Sequence, residues 1–323
     1  VNFRDHYLEV PLDLSEVLFI ATANDASMIP KPLYDRMEII DVSSYTENEK
    51  FHIAEDYLVE KQRKANGLSA QQVTFRREAL KEIIRFYTRE AGVRSLEHKI
   101  GDICRKSARI LLETKKDHVT VTKKTVRDML GIPMYDDEDK DLDPQCGVAR
   151  GLAWTSVGGD TLKIEVTTMP GKGKLLLTGN LGDVMKESAE IAISYVRSIG
   201  KDQRIPDDYF EKNDIHIHVP EGAVPKDGPS AGITISTAVL SAVTKEKVRG
   251  DIAMTGEVTL RGNVLPIGGL KEKLLAAKNA GVQEVFVPSK NRKNVKEIDR
   301  EITSGMKITY VSNMQEVIPA AFL

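Results

Sequence analysis

The chain has 323 residues, 41% hydrophobic and 29% charged, enough apolar material for two or three globular cores. Its formal net charge of −2 gives no bulk attraction to nucleic acid. Its two cysteines, Cys104 and Cys146, cannot build a disulfide framework, and there is neither a signal peptide nor an apolar run of membrane length, so the expected compartment is a reducing cytoplasm.

The chain begins with valine in the middle of a pattern, which reads as a piece of something longer. Residues 17–23, Val-Leu-Phe-Ile-Ala-Thr-Ala, form the continuous apolar run expected of a parallel strand buried on both faces. Asn24 follows at the carboxyl end of that run, where open α/β sheets bind ligands, and Arg36 lies a short way beyond.

Residues 41–135 read as a helical subdomain. Thr46 and Glu49 make a capping box, with Phe51, Ala54, Tyr57 and Leu58 behind it at helical spacing. A second helix carries Leu80, Ile83, Ile84 and Tyr87. A third starts at Arg94 and buries Ile100, Ile103, Cys104 and Leu111, which makes Cys104 a small core residue. A short strand around Val119 to Val121 and a helical turn through Val126, Met129 and Leu130 complete the set. Residues 136–146 are dense in charge and poor in apolar side chains, and read as a linker.

From 147 to 323, strands at 162–166, 174–177, 215–219, 284–288 and 307–311 alternate with helices at 183–198, 230–244 and 270–280. The pattern predicts a mixed-sheet α/β domain. The run Pro170-Gly171-Lys172-Gly173-Lys174 lacks phosphate-loop spacing and the hydroxyl residue that holds magnesium, so it reads as a tight turn between strands. No G-x-x-x-x-G-K-[ST] occurs anywhere in the chain.

The run 225–232, Pro-Lys-Asp-Gly-Pro-Ser-Ala-Gly, sets Ser230 between two glycines at the mouth of a long apolar helix. Unpaired helix amides there suit a developing oxyanion, and a serine there suits a nucleophile; a plain N-cap is the competing reading. The string also matches G-x-S-x-G, but no histidine follows Ser230. A triad would need His216 or His218 with Asp227, a cramped order. His216 and His218 share a strand face without a third metal ligand nearby, and Asp227 is open to an Asx turn or to an influence on Lys273.

A lysine base is the alternative. In the helix at 270–280, entered by Gly268 and Gly269 and closed by Gly281, a helical projection puts Lys273 on the alanine-rich face beside Ala276, Ala277 and Ala280. Lys271 falls on a polar edge instead. Desolvation on the alanine face lowers an amine's pKa toward a value useful for accepting a proton, while a snorkelling lysine is the competing reading.

The run 225–232, then 255–262 (Thr-Gly-Glu-Val-Thr-Leu-Arg-Gly), then 265–273 (Leu-Pro-Ile-Gly-Gly-Leu-Lys-Glu-Lys) resembles the proteolytic domain of the Lon proteases, ATP-dependent serine peptidases with a Ser–Lys dyad. The resemblance implies Ser230 as nucleophile, Lys273 as base and Thr255 as the hydroxyl that positions the lysine. It extends upstream, implying that residues 1–40 end the large subdomain of an AAA+ ATPase and residues 41–135 are its helical lid, with the protease domain at 147–323. Asn24 would then read the γ-phosphate, Arg36 would be the finger offered to a neighbouring subunit, and Arg94 would touch nucleotide from the lid. The resemblance further implies ATP with magnesium, unfolded polypeptide substrates and a homo-oligomeric, hexameric ring. Lacking a phosphate loop, this chain is expected not to hydrolyse ATP alone. DNA binding is associated with the family, but Lys290, Arg292, Lys293 and Lys296 read as a solvated helix start. Two rival classes are a binding module with an inert serine and a nucleic-acid-associated ATPase remnant.

Overall fold

The computed structural model describes all residues except 1, 2, 5, 6, 8, 24–28, 41, 43, 136–141, 156, 157 and 221–224. Residues Val1–Ser43 form a unit separate from Ser44–Leu323. In the first unit β1 (Phe3–Arg4) pairs antiparallel with β2 (Pro11–Leu12), and α1 (Lys31–Tyr34) is a single turn. The buried strand expected at 17–23 is absent: Leu18, Phe19 and Ile20 are 84%, 71% and 84% exposed. A parallel strand draws its hydrogen bonds and its burial from neighbours delivered by crossovers, and none lies beside this run among the described residues of the unit.

The second unit opens on the capping box, where the Glu49 amide donates to Thr46 Oγ1 and the Thr46 amide to Glu49 Oε2, starting α2 (Glu47–Ile53). A π turn, Ala54–Leu58, joins it to α3 (Val59–Ala65). This wider turn advances less angle per residue, which carries Val59 into the core and turns Tyr57 outward, contrary to its expected place on the buried face. Then come β3 (Val73–Phe75), α4 (Arg77–Phe86), α5 (Arg94–Thr114), β4 (Val119–Val121), parallel to β3, and α6 (Lys123–Leu130). One core unites them, with Leu80, Ile83, Leu96, Ile100, Ile103 and Cys104 at its centre; burial pushes the Cys104 thiol up to about 11.

The last two residues of the expected linker, Gln145–Cys146, form β5. Next come β6 (Val148–Thr155), β7 (Gly158–Pro170), β8 (Leu175–Thr178), α7 (Asp183–Ser198), α8 (Tyr209–Lys212) and β9 (Asn213–His218). After the turn Pro229–Ala231 follow α9 (Gly232–Thr244), β10 (Lys247–Val248), which pairs with β5, then β11 (Ile252–Met254), β12 (Glu257–Val258) and β13 (Val264–Leu265). The chain closes with α10 (Leu270–Asn279), β14 (Glu284–Pro288), α11 (Arg292–Glu297), α12 (Arg300–Thr303), β15 (Lys307–Val311) and α13 (Met314–Ala321).

Seven strands make one mixed sheet in the order β15-β14-β11-β6-β7-β9-β8, with β6–β7 and β7–β9 antiparallel and the other pairs parallel. Both faces are covered. Along β14, Phe286 enters the core shared with α7, α9 and α13, while Val285 and Val287 enter the one shared with α10. That is the alternation of a strand buried on both sides, and it explains the uninterrupted apolar run in its sequence. The run 170–174 is the expected turn: the Lys172 and Lys174 amides donate to the Asp214 carboxylate at 2.8 Å each, and these bonds hold that carboxyl below its usual range. The fold of the second unit is thus a helical subdomain followed by a mixed α/β domain.

Candidate active site

The site assembles past the carboxyl ends of parallel strands β11 and β14. The Thr255 amide donates to Phe286 O at 3.1 Å, extending the strand pairing by one residue and fixing where the Thr255 side chain emerges. From there the chain is bonded onto the nucleophile turn. The Gly256 amide donates to Ser230 O at 2.8 Å, and the Ile233 amide donates to Gly256 O at 3.0 Å. Such close approach excludes side chains: a Cβ on Gly232 would lie 2.6 Å from the Val258 nitrogen, and one on Gly256 2.4 Å from Ile233 Cδ1.

Ser230 lies in a 3₁₀ turn, and α9 begins only at Gly232, two residues later than the sequence predicts. Its hydroxyl caps neither element, which removes the N-cap reading. Gly228, with φ of 126°, makes the sharp entry to the turn. Asp227 is an anchor: its Oδ1 accepts from the Gly228 amide at 2.9 Å and from the Met185 amide, in the first turn of α7, at 3.0 Å. This carboxylate therefore ties the serine loop to a helix start, where negative charge is favourable. Its bond also occupies the Gly228 amide, two residues before the serine.

Lys273 arrives on α10. Gly269, in the left-handed region at φ 63°, turns the chain into that helix, and a Cβ there would press on Trp154 at 3.1 Å. Asn291, itself buried, accepts from the Ile267 amide and donates to the Ile267 carbonyl, both at 2.9 Å, pinning the helix entrance. Leu270, Lys273, Leu274, Ala276 and Ala277 are buried, whereas Lys271 is half-buried, as the projection predicts.

Lys273 is 3% exposed, and its Nζ donates to Thr255 Oγ1 at 3.2 Å. Thr255 Oγ1 in turn donates to Ser230 O at 3.4 Å. No carboxylate pairs with the amine among the described residues, and burial alone lowers its pKa from 10.5 to about 8. The three residues are brought to one place, with Lys273 linked to the serine backbone through Thr255; no hydrogen bond joins Lys273 Nζ to Ser230 Oγ.

His216 and His218 project to one face of β9 as predicted, and both rings bond the Thr178 hydroxyl on neighbouring β8, at 2.9 and 2.7 Å. No cluster of three or more metal-ligating side chains occurs among the described residues. Arg94 is exposed at the start of α5, Arg36 is exposed in the separate N-terminal unit, and Asn24 lies outside the described residues. The glycine-rich amides at 172–174 are bound to Asp214 rather than open to a phosphate.

Sequence reasoning missed Asn291, and it missed the grip of the β6–β7 hairpin on α10. Both partners lie far off in the chain, so no local pattern marks them.

Comparison with known proteins agrees with this architecture. Residues 120–323 match the model of the Lon protease (S16) C-terminal proteolytic domain, and residues 64–126 match the Lon protease AAA+ ATPase lid domain. Proteins named Lon protease from Lachnoclostridium phytofermentans and Bacillus thuringiensis are 54% and 53% identical to the chain, which aligns over its full length with 45% and 41% of theirs. Lon protease 1 of Bacillus subtilis is 52% identical, again over the whole chain and 42% of its own length. The chain thus spans less than half the length of these relatives. These matches, over the full length of the chain for the relatives and over residues 64–323 for the two family models, place the chain in the Lon protease family.

Proposed function

We propose that this chain is the lid and proteolytic part of an ATP-dependent serine endopeptidase, with Ser230 as nucleophile and Lys273 as its general base. The observation that carries this reading is the amine itself. A lysine buried without a carboxylate partner costs stability, and such a cost is characteristic of a functional site. With a pKa of about 8, roughly a quarter of the molecules hold it neutral at pH 7.5, against about one in a thousand for a free lysine.

Neutral Lys273 takes the Ser230 Oγ proton as the oxygen bonds to the scissile carbonyl carbon. The resulting ammonium gives that proton to the leaving amine as the peptide C–N bond breaks, and an acyl-enzyme remains. Water, deprotonated by the same amine, then attacks the ester carbon, and as the acyl C–O bond breaks the ammonium returns the proton to Ser230 Oγ, releasing the second product as a carboxylic acid. Thr255 holds the amine in register. Because Asp227 occupies the Gly228 amide and Pro229 has none, the oxyanion donors narrow to the amides of Ser230 and Ala231. The direct Lys273–Ser230 bond forms when substrate closes the site, since such bonds are often long in free enzymes.

The test is cleavage of a short fluorogenic peptide. Ser230→Ala and Lys273→Ala should each abolish turnover by a similar factor, with little further loss in the double variant. His216→Ala and His218→Ala should keep it. Substantial activity in Lys273→Ala together with loss in a histidine variant would move the base to that histidine.

The finer reading follows the relatives' longer chains. Substrates are unfolded or damaged polypeptides in the cytoplasm, and the working form is a hexameric ring. ATP with magnesium is held by parts of the family's chain upstream of these residues, with Asn24, Arg36 and Arg94 as readers of it. Nothing in the charge pattern favours DNA over protein substrates, and no helix among the described residues is long and apolar enough to cross a membrane.

A further inference from the structure

Between the lid and the α/β domain runs a cleft of about 960 Å³, bordered by α2, α4 and the loop at 88–91 on one side and by residues 158–161 and α10 on the other. Arg89 spans it, one guanidinium nitrogen lying 3.2 Å from Asp160 Oδ1. On the lid side the same loop is bound to the start of α5. The Glu90 carboxylate accepts from the Ser95 and Leu96 amides at 2.8 Å each, capping the helix that begins with Arg94. The Glu90 carbonyl accepts from the Lys50 amine, and the Ala91 carbonyl from the Tyr45 amide at 3.0 Å. The loop that carries Arg89 is thus bonded both to the start of α5 and to the start of the lid around Tyr45 and Lys50.

On the far side Asp160 follows directly on a close backbone contact with α10. A Cβ on Gly159 would stand 1.9 Å from the Glu272 carbonyl oxygen, so the hairpin backbone rests on the peptide unit that leads into Lys273. Across the hairpin from Gly159, Trp154 packs against Gly269, where that helix begins. The end of the β6–β7 hairpin thus grips the first turn of α10 at two points, and Arg89 holds the same end from the lid.

We propose that the Arg89–Asp160 ion pair is a positioning contact through which the lid, by way of Gly159 and Trp154, sets the placement of Lys273 against Thr255. The inference rests on the reading of Lys273 as the base for its catalytic consequence, though not for its mechanical part. In this reading Arg89 and Asp160 are positioning residues that act through α10. The pair is half-exposed, so its contribution belongs at the low end of couplings between sites, about fivefold.

The test compares the parent chain with Arg89→Ala, Asp160→Asn and the charge-reversed pair Arg89→Asp/Asp160→Arg. Amide hydrogen exchange in the first turn of α10 should quicken about fivefold in each single variant and return toward the parent in the reversed pair. Peptide cleavage should lose about the same factor in kcat with KM unchanged. Unchanged exchange in α10, exchange quickened evenly throughout the lid and α/β domain, or no rescue by reversal would each overturn the proposal. If Lys273→Ala still cleaves peptide, the dyad reading fails by itself, while the exchange data still decide whether the lid reaches α10.

Discussion

Replacing Lys273 by methionine isolates the cost of the buried amine. The folded-state pKa of about 8 lies below the ordinary 10.5, so the unfolded chain binds this proton more tightly than the folded one. The penalty is absent above the unfolded value, grows as pH falls from 10.5 toward 8, and is complete below that. Its full size is about 3 kcal/mol for a shift of this order. Methionine keeps the length of the apolar stem and packs adaptably, but it leaves Thr255 Oγ1 without its donor, at a cost of about 1 kcal/mol. The net gain is roughly 2 kcal/mol at pH 7, worth about 4–8 °C in the melting of a domain of this size. Melting of the α/β domain, followed from pH 6.5 to pH 10, should show the variant well above the parent at neutral pH and level with it or slightly below at the alkaline end. The same variant should be inactive. Lys271→Met, on the half-buried edge of the helix, should alter neither property much. A uniform loss of stability across pH would refute the argument, because the amine would then contribute packing rather than a desolvation cost. Activity retained in Lys273→Met but lost in Lys271→Met would refute both the helical projection and the dyad.

Thr255→Val keeps the side-chain shape but removes the hydroxyl between Lys273 Nζ and Ser230 O, so kcat should fall about 10- to 100-fold, and Thr255→Ser should recover most of it. Asp227→Ala releases two amides, those of Met185 and Gly228, and should cost about 1–2 kcal/mol by denaturant titration while lowering peptide cleavage, since the serine turn loses its tie to α7. The parent chain should show no ATP turnover in a phosphate-release assay; turnover that scales with purified chain and disappears in Arg94→Ala would contradict that expectation.

Most of the candidate site's placement was legible because its signals are local. Helical periodicity alone separates Lys273 from Lys271, since a face lined by Ala276, Ala277 and Ala280 is a buried face wherever the helix packs. The capping box at Thr46 and Glu49 is legible for the same reason, as both partners lie within one turn. The apolar run at 284–288 announces a strand covered on both sides. An equally apolar run at 17–23 does not become one, because the difference lies in neighbours that the run itself cannot encode. The π turn that swings Tyr57 outward leaves no mark in a 3.6-residue projection.

The sequence by itself therefore singled out the groups proposed to meet peptide and proton: a serine between glycines, a lysine on an alanine face and a threonine at the start of its own glycine motif, each carried by short-range pattern. Only the tertiary structure decided how they are held. Asp227 bonds an amide 42 residues away, Asn291 pins a loop 24 residues away, and Gly159 seats a hairpin on the carbonyl of Glu272. Such contacts depend on where the sheet brings distant backbone together, and a hydrogen bond or a close approach between distant segments has no periodicity from which it can be read.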